Sequence, residues 1–164
     1  MPRVPFDQLP GDARVWVFAA SRPLTDAEQQ RVLTETDAFI DQWTAHGVPL
    51  SAARDVRHAR FLFVGVDERA AGTSGCSVDA LVRRMGQLQS LLGLELTDNA
   101  PVLFRKGQQI ERVPRERFAE LAAAGEVGLD TVVFDNTIQR VGDIRDGRWE
   151  VRAADAWHAR AFFN

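Results

Sequence analysis

Apolar and polar positions follow two different periods along this chain, and the switches between them mark out its elements. The run Arg14-Val15-Trp16-Val17-Phe18-Ala19-Ala20, bounded by Gly11-Asp12 and Ser21-Arg22-Pro23, predicts a strand. A helical period follows. Thr25 and Glu28 stand at capping-box spacing, and Val32, Leu33, Phe39, Ile40 and Trp43 fall on one stripe until Gly47 supplies a stop. Leu50 to Val56 alternates weakly and Phe61-Leu62-Phe63-Val64-Gly65-Val66 is a short apolar run, so this pair predicts a hairpin turning around Arg57-His58. Val78, Leu81, Val82, Met85, Leu88 and Leu92 keep helical spacing and predict a helix from about Ser77 to Leu92, ended by Gly93. Pro101 to Arg105 is the next strand.

The order strand, helix, strand, strand, helix, strand predicts an α+β protein with a ferredoxin-like βαββαβ core, an antiparallel four-stranded sheet with two helices on one face. Lys106-Gly107 then signals a turn, Gln108 to Val113 a hairpin partner, and Pro114 the start of a helix over Arg115 to Ala124 closed by Gly125. Thr131 to Phe134 is one more strand. The rest reads as irregular as far as Trp149 and the apolar close Trp157-His158-Ala159-Arg160-Ala161-Phe162-Phe163, which predicts a tail docked on the body. The expected organisation is a single domain over 1–164, with a core over 12–105 and a C-terminal hairpin-helix-strand extension over 106–164 packed on it.

Composition narrows the classes without naming one. With 164 residues, 45% hydrophobic and 26% charged, the chain has the make-up of a globular protein. The opening Met1-Pro2-Arg3-Val4-Pro5 lacks the apolar core of a signal peptide and no apolar run approaches the ~20 residues of a membrane span, so the expected location is cytoplasmic with no membrane partner. A net charge of -3 with interspersed signs gives no reason to expect a nucleic-acid partner. One cysteine cannot form an internal disulfide, and with three histidines it leaves little for a zinc site, so neither metal nor cofactor is expected. Lys106 is the only lysine, there is no tyrosine, and no P-loop pattern is present.

Candidate chemistry gathers around that one cysteine. Cys76 lies where the loop Ala71-Gly72-Thr73-Ser74-Gly75 runs into the second helix, and a helix N-terminus offers unpaired N-H groups and the positive end of a dipole, both of which favour thiolate. In a ferredoxin-like core the end of the first helix, with Trp43, His46 and Gly47, shares a sheet edge with this loop. Cys76 as nucleophile and His46 as base are therefore the catalytic candidates, with Asp67 and Asp79 as groups to orient the histidine. Equally, Cys76 is a packing residue, as free cysteines commonly are. The loop has two readings as well. Gly72, Thr73, Ser74, Gly75 and Ser77 present N-H groups and hydroxyls to a small anionic ligand, with Asp79, Trp43, His158 and Arg160 around them, or they only turn the chain with Ser77 as cap. His58 reads as a solvated turn residue, His158 as part of an aromatic tail anchor or a lid, and Asp135 as a conceivable acid or base.

Trp43-Thr44-Ala45-His46-Gly47, Gly75-Cys76-Ser77-Val78-Asp79, Val133-Phe134-Asp135-Asn136 and Trp157-His158-Ala159-Arg160 resemble segments of a family of small, uncharacterised bacterial proteins, and the similarity spans almost the whole chain. Some members carry the label ABC transporter ATPase, which implies a P-loop and a signature motif that this chain lacks. The resemblance implies a bacterial protein and brings no catalytic residues with it. The stretch from Val102 to Phe134 is similar in pattern to GYF-like modules that bind proline-rich peptides, which implies a peptide-receiving surface of Phe104, Phe134 and Trp149. Three functions follow: binding of a small anionic ligand at Gly72 to Ser77, a cysteine-dependent enzyme, or an interaction module that associates through an open sheet face or edge, as a homodimer for instance. Whether the protein is an enzyme stays open at this point.

Overall fold

A computed structural model describes residues 3–164. Met1 and Pro2, part of the opening segment read above for a leader, lie outside the described residues. The chain divides into two compact units, the first running to Asp98 and taking back Gln139–Gly142, the second comprising Asn99–Ile138 and Asp143–Asn164.

The first unit holds β1 (Arg14–Ala19), α1 (Asp26–Gln42), β2 (Thr44–Ala45), β3 (Val48–Pro49), β4 (Ser51–Arg57), β5 (Phe61–Asp67) and α2 (Gly75–Leu92). Its three-stranded sheet has the order β1-β5-β4 with both pairings antiparallel. The apolar run read from the sequence is the central strand, and its residues 61–66 are buried because both faces of β5 are covered. Leu62, Val64 and Val66 point to the face packed by Val32 and Ile40 of α1 and Leu81, Met85 and Leu88 of α2. The opposite face receives Phe6, whose ring lies 6.1 Å from that of Phe63. Gly65 gives it room there, since a Cβ at that position would stand 2.6 Å from Leu9 Cδ1 and force the buried Leu9 side chain to shift.

The helix ends follow local chemistry. Thr25 caps α1 in a capping box with Glu28, and Arg22 also grips the Glu28 carboxylate. The Arg22 hydrogen bonds, with the Thr25 N-H, pull Glu28 down to about 2 against a weak opposing effect of burial. α1 stops at Gln42, ahead of Gly47, because the chain turns at once into the β2–β3 hairpin, with Thr44 opposite Pro49 and Ala45 opposite Val48. α2 begins at Gly75 rather than Ser77, and Gly93 ends it in the left-handed conformation.

The fold is α+β, but the expected fourth strand lies elsewhere. Val102–Lys106 (β6) joins the second unit in a four-stranded sheet β7-β6-β8-β9, with β7 (Gln109–Val113), β8 (Val132–Phe134) and β9 (Glu150–Arg152). Two physical reasons account for this. The turn through Gly107 and Gln108 makes pairing of β6 with β7 the contact of shortest loop closure. The edge beside β1 is meanwhile occupied by the strap Gln139–Gly142, with Val15 N-H donating to the Gln139 carbonyl at 3.0 Å and Val141 N-H to that of Ala13 at 2.9 Å. At the other edge Val4 N-H donates to the Ala52 carbonyl at 2.9 Å, so each edge of this sheet is bridged at one point, at Arg14-Val15 of β1 and at Ala52 of β4.

In the second unit, α3 (Arg115–Ala123) lays Phe118 against Phe104 in a core with Val102, Val127, Val133 and Ala153. The stretch expected to be irregular contains β9 and α4 (Val141–Arg145), the latter beginning in the strap, and the chain closes in α5 (His158–Phe162). Phe104, Phe134 and Trp149 are all buried, Phe134 and Trp149 with ring centres 5.1 Å apart. They pack inward, and the three do not form together the exposed peptide-receiving surface expected of them. Among the described residues no helix is long and apolar enough to cross a membrane.

Gly65→Ala is expected to destabilise the protein by about 1–3 kcal/mol through overpacking against Leu9, measured as a lower urea midpoint at unchanged slope.

Candidate functional site

The first turn of α2 is held by two serines. Ser74 Oγ accepts from the Ser77 N-H at 3.1 Å, while Ser77 Oγ accepts from the Ser74 N-H at 2.7 Å and donates to the Ser74 carbonyl at 2.9 Å. Ser77 is thus buried and fully engaged, and Ser74 takes the capping role expected of Ser77. Gly75 and Cys76 are the first two helical residues, and their N-H groups have no hydrogen-bond acceptor among the described residues. Cys76 is exposed, so the reading of it as a packing residue does not hold.

Trp43 brings the other wall to this turn. It caps the C-terminus of α1, lies 3% exposed, and its indole N-H donates to the Ser77 carbonyl at 2.9 Å inside the core. Phe39, one helical turn earlier, lies tilted against it with ring centres 5.1 Å apart, and Trp16 of β1 meets it edge-on at 6.0 Å. The Trp43 carbonyl accepts from the Leu50 N-H at 3.0 Å, closing the base of the β2–β3 hairpin. At the tip of that hairpin His46 and Gly47 have φ of 51° and 77°, the pair of positive values that a two-residue type I′ turn demands. His46 is exposed there.

These walls enclose an open cleft of about 490 Å³ lined by Phe39, Gln42, Trp43, Thr44, His46, Ser74, Cys76, Ser77 and Ala80. Of the residues singled out from the sequence, it brings together Cys76, His46, Trp43, Ser74 and Ser77. It leaves out Gly72, Thr73, Gly75 and Asp79. His158 and Arg160 belong to the second unit and are not among the lining residues. No arginine or lysine lines the cleft, so its attraction for an anion rests on the free N-H groups and dipole of α2.

The loop preceding α2 is already occupied by an anion of the chain itself. The Glu68 carboxylate accepts from both the N-H and the hydroxyl of Thr73, each at 2.9 Å, and Arg140 stands 3.6 Å away. Burial works to raise Glu68, but the two Thr73 hydrogen bonds together with Arg14 and Arg140 outweigh it and hold the carboxyl below its usual range. Arg14 also donates to Thr73 Oγ1 at 3.2 Å. The Thr73 donors expected to cradle a ligand are therefore spent on Glu68. Asp67 is likewise taken, by a 2.7 Å ion pair with Arg69, and Asp79 is exposed on α2, so neither is positioned to orient His46.

The other histidines lie apart from this cleft. His58 sits at the β4–β5 turn with φ of 57°, exposed as expected of a turn residue. His158 is buried against Trp157 and Phe118, and burial pushes it down to about 4, with the Asp135 charge opposing and the Arg115 charge assisting. It is an anchor of the tail rather than a lid. The second unit has its own cleft of about 470 Å³, with Phe104, Leu121 and Val127 at its apolar wall and Lys106 and Glu126 among its polar lining, but no cysteine or histidine. Among the described residues no group of three or more His, Cys, Asp and Glu side chains is placed to hold a metal ion.

Phe39, Gln42, Thr44 and Ala80 complete the Cys76 cleft without having been singled out as site residues. Phe39 had a legible signal, its i,i+4 spacing to Trp43. Glu68 and Arg140 had none, being 72 positions apart in a chain rich in both residue types. Known protein families, curated proteins and solved structures yield no match to this chain.

Trp43→Phe keeps the aromatic packing but removes the donor to Ser77, and is expected to cost about 1–2 kcal/mol, the scale of one buried hydrogen bond. Urea unfolding reads this directly. A change within 0.3 kcal/mol of zero on the same scale would mean that the bond does not hold the cleft.

Proposed function

We propose that this chain binds a small molecule bearing an anionic group in the cleft between the end of α1, the β2–β3 hairpin and the first turn of α2. The observation that carries this reading is the convergence of His46, Cys76, Trp43 and Phe39 on one open cleft at a helix start whose first two N-H groups are unpartnered. A carboxylate or phosphate there receives the N-H group of Cys76 at the positive end of the α2 dipole, while the body of the ligand lies along the half-buried Phe39 ring. The site so defined is shifted from the Gly72-Thr73 loop to the cleft itself, because Glu68 already holds the donors of Thr73. Two of the segments that resemble the small bacterial proteins, 43–47 and 75–79, contribute cleft residues.

The exposure of Cys76 favours a second reading, thiol chemistry at the same place. In it the thiol proton passes to the His46 imidazole, Sγ bonds to an electrophilic carbon of the ligand, and the leaving group departs with its electron pair. Substitution separates the two readings. If Cys76→Ser leaves binding intact, the thiol is a bystander in the cleft. If turnover of an activated ester by the native chain is lost in both Cys76→Ser and His46→Ala, the pair is catalytic.

A thermal-shift comparison of acetate, benzoate and inorganic phosphate tests the binding reading. Benzoate is expected to raise the melting temperature more than acetate does, because only it reaches Phe39, and to slow alkylation of Cys76 by iodoacetamide at saturation. Absence of any stabiliser among the three, or stabilisation without protection of Cys76, would contradict the assignment of the site.

A further inference from the structure

We propose that His158 is an acid-sensitive latch: when its imidazole takes up a proton, the C-terminal helix α5 leaves its seat on the second unit. His158 opens α5 and is only 1% exposed. Its ring stacks on Trp157 at 4.0 Å and lies 6.3 Å from both Phe118 of α3 and Phe162. Phe118 in turn meets Phe162 at 4.9 Å and Phe163 at 6.3 Å, so the imidazole sits within the aromatic contacts that fasten the tail. Its Nδ1 is sealed from solvent with no hydrogen-bond partner. A neutral imidazole leaves Nδ1 there as a bare acceptor, whereas an imidazolium makes it an N-H donor with no acceptor and sets a charge among the aromatic rings.

The charged groups facing it do not supply a partner. Asp135, just after β8, favours the proton through its charge, but its Oδ1 already accepts from the N-H and hydroxyl of Thr137. Arg115, at the start of α3, opposes the proton and is fixed over the Trp157 ring at 4.8 Å with Nε on the Ala100 carbonyl at 3.0 Å. Asp155, in the turn before α5, is paired with Arg152 at 3.1 Å, and Arg160 on α5 adds a second positive charge to the same short segment. A helix of five residues has little stability of its own, so the docked state depends on these contacts.

The direction follows from linkage. Burial holds docked His158 at about 4, against 6.5 for a free imidazole, so the released tail binds the proton more tightly than the docked one. Docking is at full strength above pH 6.5, weakens up to tenfold per pH unit between 6.5 and about 4, and levels off below, a few hundred-fold in all.

Hydrogen exchange on the full chain tests this, with protection factors corrected for intrinsic rate. Between pH 6.5 and 4.5 the amides of 157–163 are expected to lose about fortyfold in protection, and the loss is expected to vanish in His158→Phe. His158→Gln serves the same comparison if the phenylalanine variant does not fold. An equal loss in a folded variant, or no loss in the native chain, overturns the proposal. Should neither variant fold, the native imidazole resonance decides: titration near 6.5 with the tail still protected overturns the latch, and titration only as the tail amides open supports it.

Discussion

A buried indole N-H must find an acceptor, and in this protein the requirement of Trp43 is met by the carbonyl of Ser77, 34 positions further along the chain. That bond fixes the end of α1 against the beginning of α2. The local consequences run outward from it. Because Trp43 is pinned as the cap of α1, the chain must reverse within the few residues before β4, and a type I′ turn at His46-Gly47 accomplishes it. Because the Ser77 carbonyl is engaged, the serine box of Ser74 and Ser77 is held against the same tryptophan, which leaves Cys76 on the outer side of the helical turn. His46 and Cys76 thus line one cleft although neither touches the core.

The electrostatics of the region distinguish two anion positions that look alike in sequence. The loop ahead of α2 has hydroxyl and N-H donors with Arg14 and Arg140 nearby, and the chain fills it with its own Glu68 carboxylate. The start of α2 has N-H groups alone. An internal carboxylate tethered to its donors competes with any dissolved anion at a large effective concentration, so the loop is a structural fastening. The helix start has no such competitor, which is why the proposed ligand site lies there.

Much of this was legible in the chain and some of it was not, for identifiable reasons. The capping box of Thr25 and Glu28, the buried run 61–66 and the Gly93 stop are local patterns, and local patterns survive folding. The partner of β6 is a choice between two edges, and the edge next to β1 was taken by a strap from residues 139–142 that no period in the sequence announces. The pairing of His46 with Cys76 in one cleft was reached through a four-stranded core that did not form. It stands because only the order β1, α1, β4, β5, α2 was needed to bring those ends together. The Ser77 cap was displaced by three residues because Ser74 and Ser77 satisfy each other reciprocally, which sequence spacing alone does not order.

The central claim, that the Trp43–Ser77 tie builds a ligand cleft at the start of α2, is tested most directly by NMR shift mapping during a titration of the full chain with benzoate. Concerted, saturable shifts of the Cys76 amide, the Trp43 indole N-H and the His46 imidazole are expected, those of Cys76 and His46 being weakened in Trp43→Phe. Shifts confined to Glu68 through Thr73 or to the second unit, or none that saturate, would contradict it.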